Sequence, residues 1–148
     1  MKPDWTLIAN ATHARLLQQE NDNPMVLLRA FEHPKGRLHT SELGDAPAGR
    51  ELSGRGFGGA AFEPRMDPHR KEHLHFAHEL ADCLEKGAQS GDYGSLAIFS
   101  SSPFLGELKA RLGHATLALL KETHDVDLTS VGPAEIERRI RHETSARR

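Results

Sequence analysis

Cysteine is nearly absent. With Cys83 as the single cysteine, no intrachain disulfide framework can exist, and a reducing cytoplasm is the simplest compartment. Long apolar runs are missing too. The opening MKPDWTLIAN lacks the apolar stretch of a secretory signal, and no run approaches the roughly 20 residues needed to cross a membrane. Aromatic residues make up only 5% of the chain, so the core must be mostly aliphatic. Neither sign of charge dominates, at a formal net charge of -2. That excludes a global electrostatic signature for nucleic acid and leaves any basic surface local. A Gly-x-Ser-x-Gly elbow is lacking, so serine-hydrolase chemistry has no support, and the serines before Pro103 read as a helix cap.

Histidine and glycine stand out among what is present. There are 10 histidines and 13 glycines in 148 residues, a length that fits one domain with a proper core. The chain reads as α/β, a single domain over 1–148 with a mixed five-stranded sheet and three helices. Asp4–Asn10, His13–Glu20 and Pro24–His33 form an antiparallel meander at the start. Trp5, Leu7 and Ala9 point to one face, and Ile8 to the other. From Pro34 to Met66 no period is sustained, so 34–66 is expected to be a long glycine-rich loop.

Strands and helices alternate in the second half, which implies parallel crossovers. Each helix is opened by proline at its first position: Asp67-Pro68, Ser102-Pro103 and Gly132-Pro133. The first helix runs to about Gly87, expected as a glycine cap, with His73, Ala77, Leu80, Ala81 and Leu84 as its apolar stripe, flanked by Phe76 and Cys83. The second carries Leu105, Leu108, Leu112, Ala115 and Leu119. The third places Ile136 and Ile140 opposite its arginines. Two further strands are expected at Ser95–Ser100, apolar on both faces and so interior, and at Thr123–Ser130.

Gly54-x-Gly56-x-x-Gly59 matches a dinucleotide fingerprint in letters only. Eight residues separate Gly59 from the helix start at Pro68, and no strand clearly precedes, so no cofactor is expected. His69 and His73, His75 and Glu79, and His78 and Asp82 are each four apart, a spacing that can hold metal on one helical face. Third and fourth ligands are not in reach, and a solvated face with His73 half buried is the simpler reading; no metal is expected. Cys83 sits beside apolar residues as a core thiol. Arginines beside the glycines suit contact with a phosphate backbone. A second basic cluster, Arg138, Arg139, Arg141, Arg147 and Arg148, ends the chain in a basic tail over 141–148. Solubilising charge explains both clusters as well as RNA does.

The segments DWTLIANATHARLL, FEPRMDPHRKEHLHFAHELADCLEKG, SSPFLGELKARL and HDVDLTSVGPAEIERRI together resemble the bacterial host-attachment protein family. The match spans Asp4 to Ile140, and its specificity lies in order and spacing rather than in a catalytic signature. The family is also similar, more distantly, to the middle domain of archaeal and eukaryotic class-one release factors and of Pelota, in which a Gly-Gly-Gln loop precedes a long helix. That resemblance implies a loop that approaches RNA or the ribosome: Gly54, Arg55, Gly56, Gly58, Gly59 and Arg65 in the loop, with His69, Arg70 and His73 on the helix behind it. Ala60 stands at the place of the glutamine. It has no amide to position a hydrolytic water, so no catalytic residue is expected. The leading reading is therefore a non-catalytic, release-factor-like module. A hydrolase of an RNA-linked ester such as peptidyl-tRNA, and a protein-interaction module in attachment, are the alternatives.

Overall fold

The computed structural model describes residues 2–33 and 68–146. Five strands and four helices follow in the order β1 (Asp4–Ala9), β2 (His13–Gln19), β3 (Val26–Glu32), α1 (Pro68–Gln89), β4 (Ser95–Ser100), α2 (Phe104–Lys109), α3 (His114–Leu119), β5 (Leu120–His124) and α4 (Pro133–Ala146). The sheet order is β3-β2-β1-β4-β5. β1 pairs antiparallel with β2, and β2 with β3, while β1–β4 and β4–β5 are parallel. The expected meander and the parallel crossovers are both present. β4, apolar on both faces, lies between two parallel partners as its composition requires.

Strand alternation sends side chains to two cores. Trp5, Leu7 and Ala9 join Phe76, Leu80 and Leu84 of α1, together with Leu105, Leu108 and Leu112. Ile8 turns the other way and meets Leu17, Phe99, Leu128, Ile136 and Ile140 under α4. Burying such side chains contributes about 1.5–3 kcal/mol each. His73 is half-buried, as its place on the stripe suggests, but Phe76 belongs to the centre of the stripe rather than its flank, being 1% exposed. Val26, Leu27 and Leu28 on β3 remain exposed.

Four corrections to the sequence reading have physical causes. The first helix does not stop at Gly87 but runs to Gln89. Gly91, at φ +75°, is the left-handed residue that ends it; the Gly91 and Asp92 N–H groups donate to the carbonyls of Ala88 and Gly87, the paired pattern of a Schellman ending. Gly87 serves close packing instead: a Cβ there would lie 2.8 Å from Trp5 Cη2. The second helix is two short ones. It breaks before Gly113, whose backbone is extended, and Glu85 of α1 accepts from the Ala115 and Thr116 N–H groups that the break exposes.

Ser102 does not cap α2. Pro103 takes the cap position, and Ser102 donates its N–H and hydroxyl to Asp125 at 3.0 and 2.8 Å. Finally, the last strand is Leu120–His124, not 123–130. The residues after His124 form a loop because Asp127 accepts from the Thr129 N–H and hydroxyl, a local turn that competes with a ladder.

Candidate functional site

Three of the segments that carry the family resemblance meet at the carboxyl ends of β1 and β4. Asn10 follows β1 directly. Its Oδ1 accepts from the Thr12 and His13 N–H groups at 2.9 and 2.8 Å, turning the chain into β2. Its Nδ2 donates to Asp127 Oδ2 at 3.2 Å and to Thr129 Oγ1 at 3.0 Å in the β5–α4 loop. Arg15 Nη2 donates to the carbonyls of Leu128, Thr129 and Val131 in the same loop, at 2.9, 3.1 and 2.9 Å. Ser102, after β4, is held by Asp125. Sequence reasoning quoted these segments as a pattern but singled out none of Asn10, Arg15, Asp125 or Asp127. The signal was present as Asn and Asp beside small residues just past apolar strands, where side chains satisfy loop backbone.

Between these turns and α1 lies a cavity of 390 Å³, lined by Asn10, Thr12, His73, Ser101, Phe104 and Glu107 among others, with Arg70 at its rim. The volume falls within the ~300–1,000 Å³ of small-ligand pockets, and the carboxyl end of parallel strands is where open α/β sheets bind ligands. Glu107 stands between two guanidiniums, 3.0 Å from Arg70 Nη1 and 3.6 Å from Arg111 Nη1. At the cavity itself the Arg70 guanidinium and the Glu107 carboxylate balance one another.

The chain leaves the described residues beside this cavity and returns beside it. The His33 N–H donates to the Thr12 carbonyl at 2.9 Å. His33 Nε2 lies 2.8 Å from Glu72 Oε1, and its ring stacks on Phe76 at 5.4 Å. Of the residues expected to contact RNA, the structure thus brings Arg70 and His73 together at one cavity. Gly54, Arg55, Gly56, Gly58, Gly59 and Arg65, with Ala60, lie outside the described residues, as does the side chain of His69.

The remaining candidates are placed plainly. His75 and His78 are exposed on α1, and among the described residues no three His, Cys, Asp or Glu side chains converge as a metal site. Cys83 is half-buried, 3.6 Å from Arg29 Nη1. Burial outweighs the nearby guanidinium and pushes its thiol above the ordinary value, which disfavours a nucleophilic thiolate. The arginines of α4 are largely neutralised within the helix: Arg138 pairs with Glu135, Arg139 with Glu143 and Arg141 with Glu137. That weakens the expectation of a basic patch there, and the rest of the tail, Arg147 and Arg148, lies outside the described residues. None of the described helices is long and apolar enough to cross a membrane.

A mixed-sheet α/β domain with a cavity at its strand ends, lined by both polar and apolar side chains, is the class that fold and site define. The model of the family described as "Protein required for attachment to host cells" matches residues 5–140. The chain belongs to that family. No curated protein matches it.

Proposed function

We propose that this family member is a non-catalytic, release-factor-like module that contacts RNA or the ribosome through Gly54–Arg65, with Arg70 and His73 standing behind that stretch. One observation carries the reading. The cavity at the strand ends is lined by Arg70 and His73 near the start of α1 and by Thr12, whose carbonyl accepts from the His33 N–H, so the described residues on either side of the glycine- and arginine-rich stretch adjoin it. Glycines permit close backbone approach and arginines meet phosphate. Ala60 supplies no amide for hydrolysis, so binding without cleavage fits best.

The test is filter binding to ribosomes and to transfer RNA over a salt series. Affinity is expected to fall as salt rises, and Arg55→Ala, Arg65→Ala or Arg70→Ala is expected to reduce the salt slope by about one per lost phosphate contact. Absence of binding at low salt would remove the RNA reading. Rapid release of peptide from peptidyl-tRNA by the wild type would overturn the non-catalytic one and favour the ester hydrolase.

A second reading is favoured by a different observation. Val26, Leu27 and Leu28 are 53%, 55% and 42% exposed on β3, an apolar run of the kind that marks protein contact. Together with the family's description it supports a protein partner in attachment. Replacing Leu27 and Leu28 with lysine is expected to abolish such a contact while leaving RNA binding unchanged.

A further inference from the structure

The opposite end of the sheet holds a second cavity, remote from the strand carboxyl ends. It measures 350 Å³ and lies between the sheet and α4. Phe99, Ile140 and Met25 give it apolar walls. At the small end of the ~300–1,000 Å³ range, it suits a small molecule rather than a cofactor.

Its floor carries an anomaly. Thr6 lies on the same face of β1 as Ile8, under α4, and is 5% exposed. It lines the cavity, yet its hydroxyl meets no hydrogen-bond partner among the described residues. Buried hydroxyls are nearly always paired, because an unpaired one forfeits a bond it had in water. A hydroxyl left open towards a cavity is a donor and acceptor held for something that enters it.

Charged groups at the rim have spare capacity of both signs. Lys121 lines the cavity with no ion-pair partner among the described residues, and Arg141 commits one nitrogen to Glu137 at 3.1 Å. Asp4 Oδ1 accepts from the Ser95 hydroxyl at 2.6 Å, and Glu122 Oε1 lies 2.8 Å from His124 Nε2. Each of these carboxylates keeps its second oxygen for another donor. A simple anion would meet Asp4, Glu122 and Glu137; a simple cation would meet Lys121 and Arg141. Among the described residues a metal ion finds no cluster of ligands here. A molecule that carries both charges satisfies both sets and avoids both repulsions.

We propose that this cavity is a binding site for a small zwitterion bearing a carboxylate and an ammonium group, as free α-amino acids do. The carboxylate faces Lys121 and Arg141, the ammonium faces the open oxygens of Asp4 and Glu122, and Thr6 hydrogen-bonds the portion that reaches the sheet.

The test is an NMR titration of the ¹⁵N-labelled full chain with L-alanine, L-leucine, L-glutamate and L-lysine. Propionate and propylamine serve as single-charge controls. At least one amino acid is expected to shift the amides of Thr6, Lys121 and Arg141 saturably, with the controls at least about tenfold weaker. Lys121→Ala is expected to weaken binding about tenfold, and Thr6→Val about fivefold. The melting temperature of Thr6→Val is expected to hold or rise, since valine removes an unpaired hydroxyl. The proposal is overturned if no amino acid moves these amides, if a control binds as well as the amino acids, or if Thr6→Val lowers the melting temperature and so reveals a structural partner for the hydroxyl.

Discussion

Asn10→Asp isolates the junction at the strand ends, because it changes one atom of a residue that joins three segments. The acceptor side survives: a carboxylate oxygen still receives the Thr12 and His13 N–H groups. The donor side is lost. Two hydrogen bonds, to Asp127 and Thr129, disappear, at about 1 kcal/mol net each. A new negative charge then stands where the amide lay 3.2 Å from Asp127 Oδ2. Two like charges about 4 Å apart repel by ~1 kcal/mol in water and ~4 kcal/mol at an effective dielectric of 20; for this solvent-exposed pair the lower end applies. The expected loss of stability at neutral pH is therefore about 3 kcal/mol.

The pH dependence has a definite sign. In the wild type, burial pushes the Asp127 carboxyl up, but hydrogen bonds from the Thr129 hydroxyl and N–H and from Asn10 more than offset it and hold its pKa below 3.8. A depressed carboxylate stabilises the fold above its unfolded value, and that contribution is lost as pH falls through the folded one. In the variant the second carboxylate acts oppositely, because a proton shared between like charges relieves their repulsion. The gap between variant and wild type is thus greatest at neutral pH and narrows as the pH falls towards about 4. Urea denaturation at several pH values measures it. The double variant Asn10→Asp, Asp127→Asn exchanges amide and carboxylate and is expected to recover most of the loss. Full stability of Asn10→Asp at neutral pH, or a gap that widens on acidification, would refute the account.

Glu85→Gln tests the clasp between α1 and α3. The Thr116 N–H and hydroxyl, opposed by burial and helped by the Ala115 N–H and Gln89, hold the Glu85 carboxyl below its ordinary 4.5, so its stabilisation is present above that value and lost as pH falls through the lower folded one. The variant's melting temperature is expected to lie below the wild type's at neutral pH and to converge with it in acid; a pH-independent difference would point to packing instead. Gly87→Ala gains about 1 kcal/mol of helix propensity. Its Cβ would meet Trp5 Cη2 and Cζ3 at 2.8 and 2.9 Å, and overpacking of that kind costs about 1–3 kcal/mol. A net loss of about 1 kcal/mol by thermal denaturation is expected, and a stabilised variant would show that Trp5 yields readily.

Short-range signals determined the element types, the two-sided burial of β1 and the order of the meander. Alternation in DWTLIA and the three-four spacing in α1 and α4 each reflect a repeat of the backbone itself, so they can be read without knowing any neighbour. Proline and glycine marked boundaries only approximately. Gly87 and Gly91 look alike in sequence; Trp5, distant along the chain, makes one a packing site, and backbone handedness makes the other a helix end. The split of the second helix likewise depended on Glu85, 30 residues from the N–H of Ala115 that it accepts.

The site was less legible still. Arg70 and His73 were expected at the site only through the release-factor resemblance, and their convergence with Asn10, Ser101 and Glu107 exists only once β1 and β4 pair in parallel. Asn10, Arg15, Asp125 and Asp127 had no periodicity to reveal them. Their partners lie as far as 119 residues away, and a hydrogen bond across that separation is set by the crossover that brings two loops together, not by any property of either loop alone.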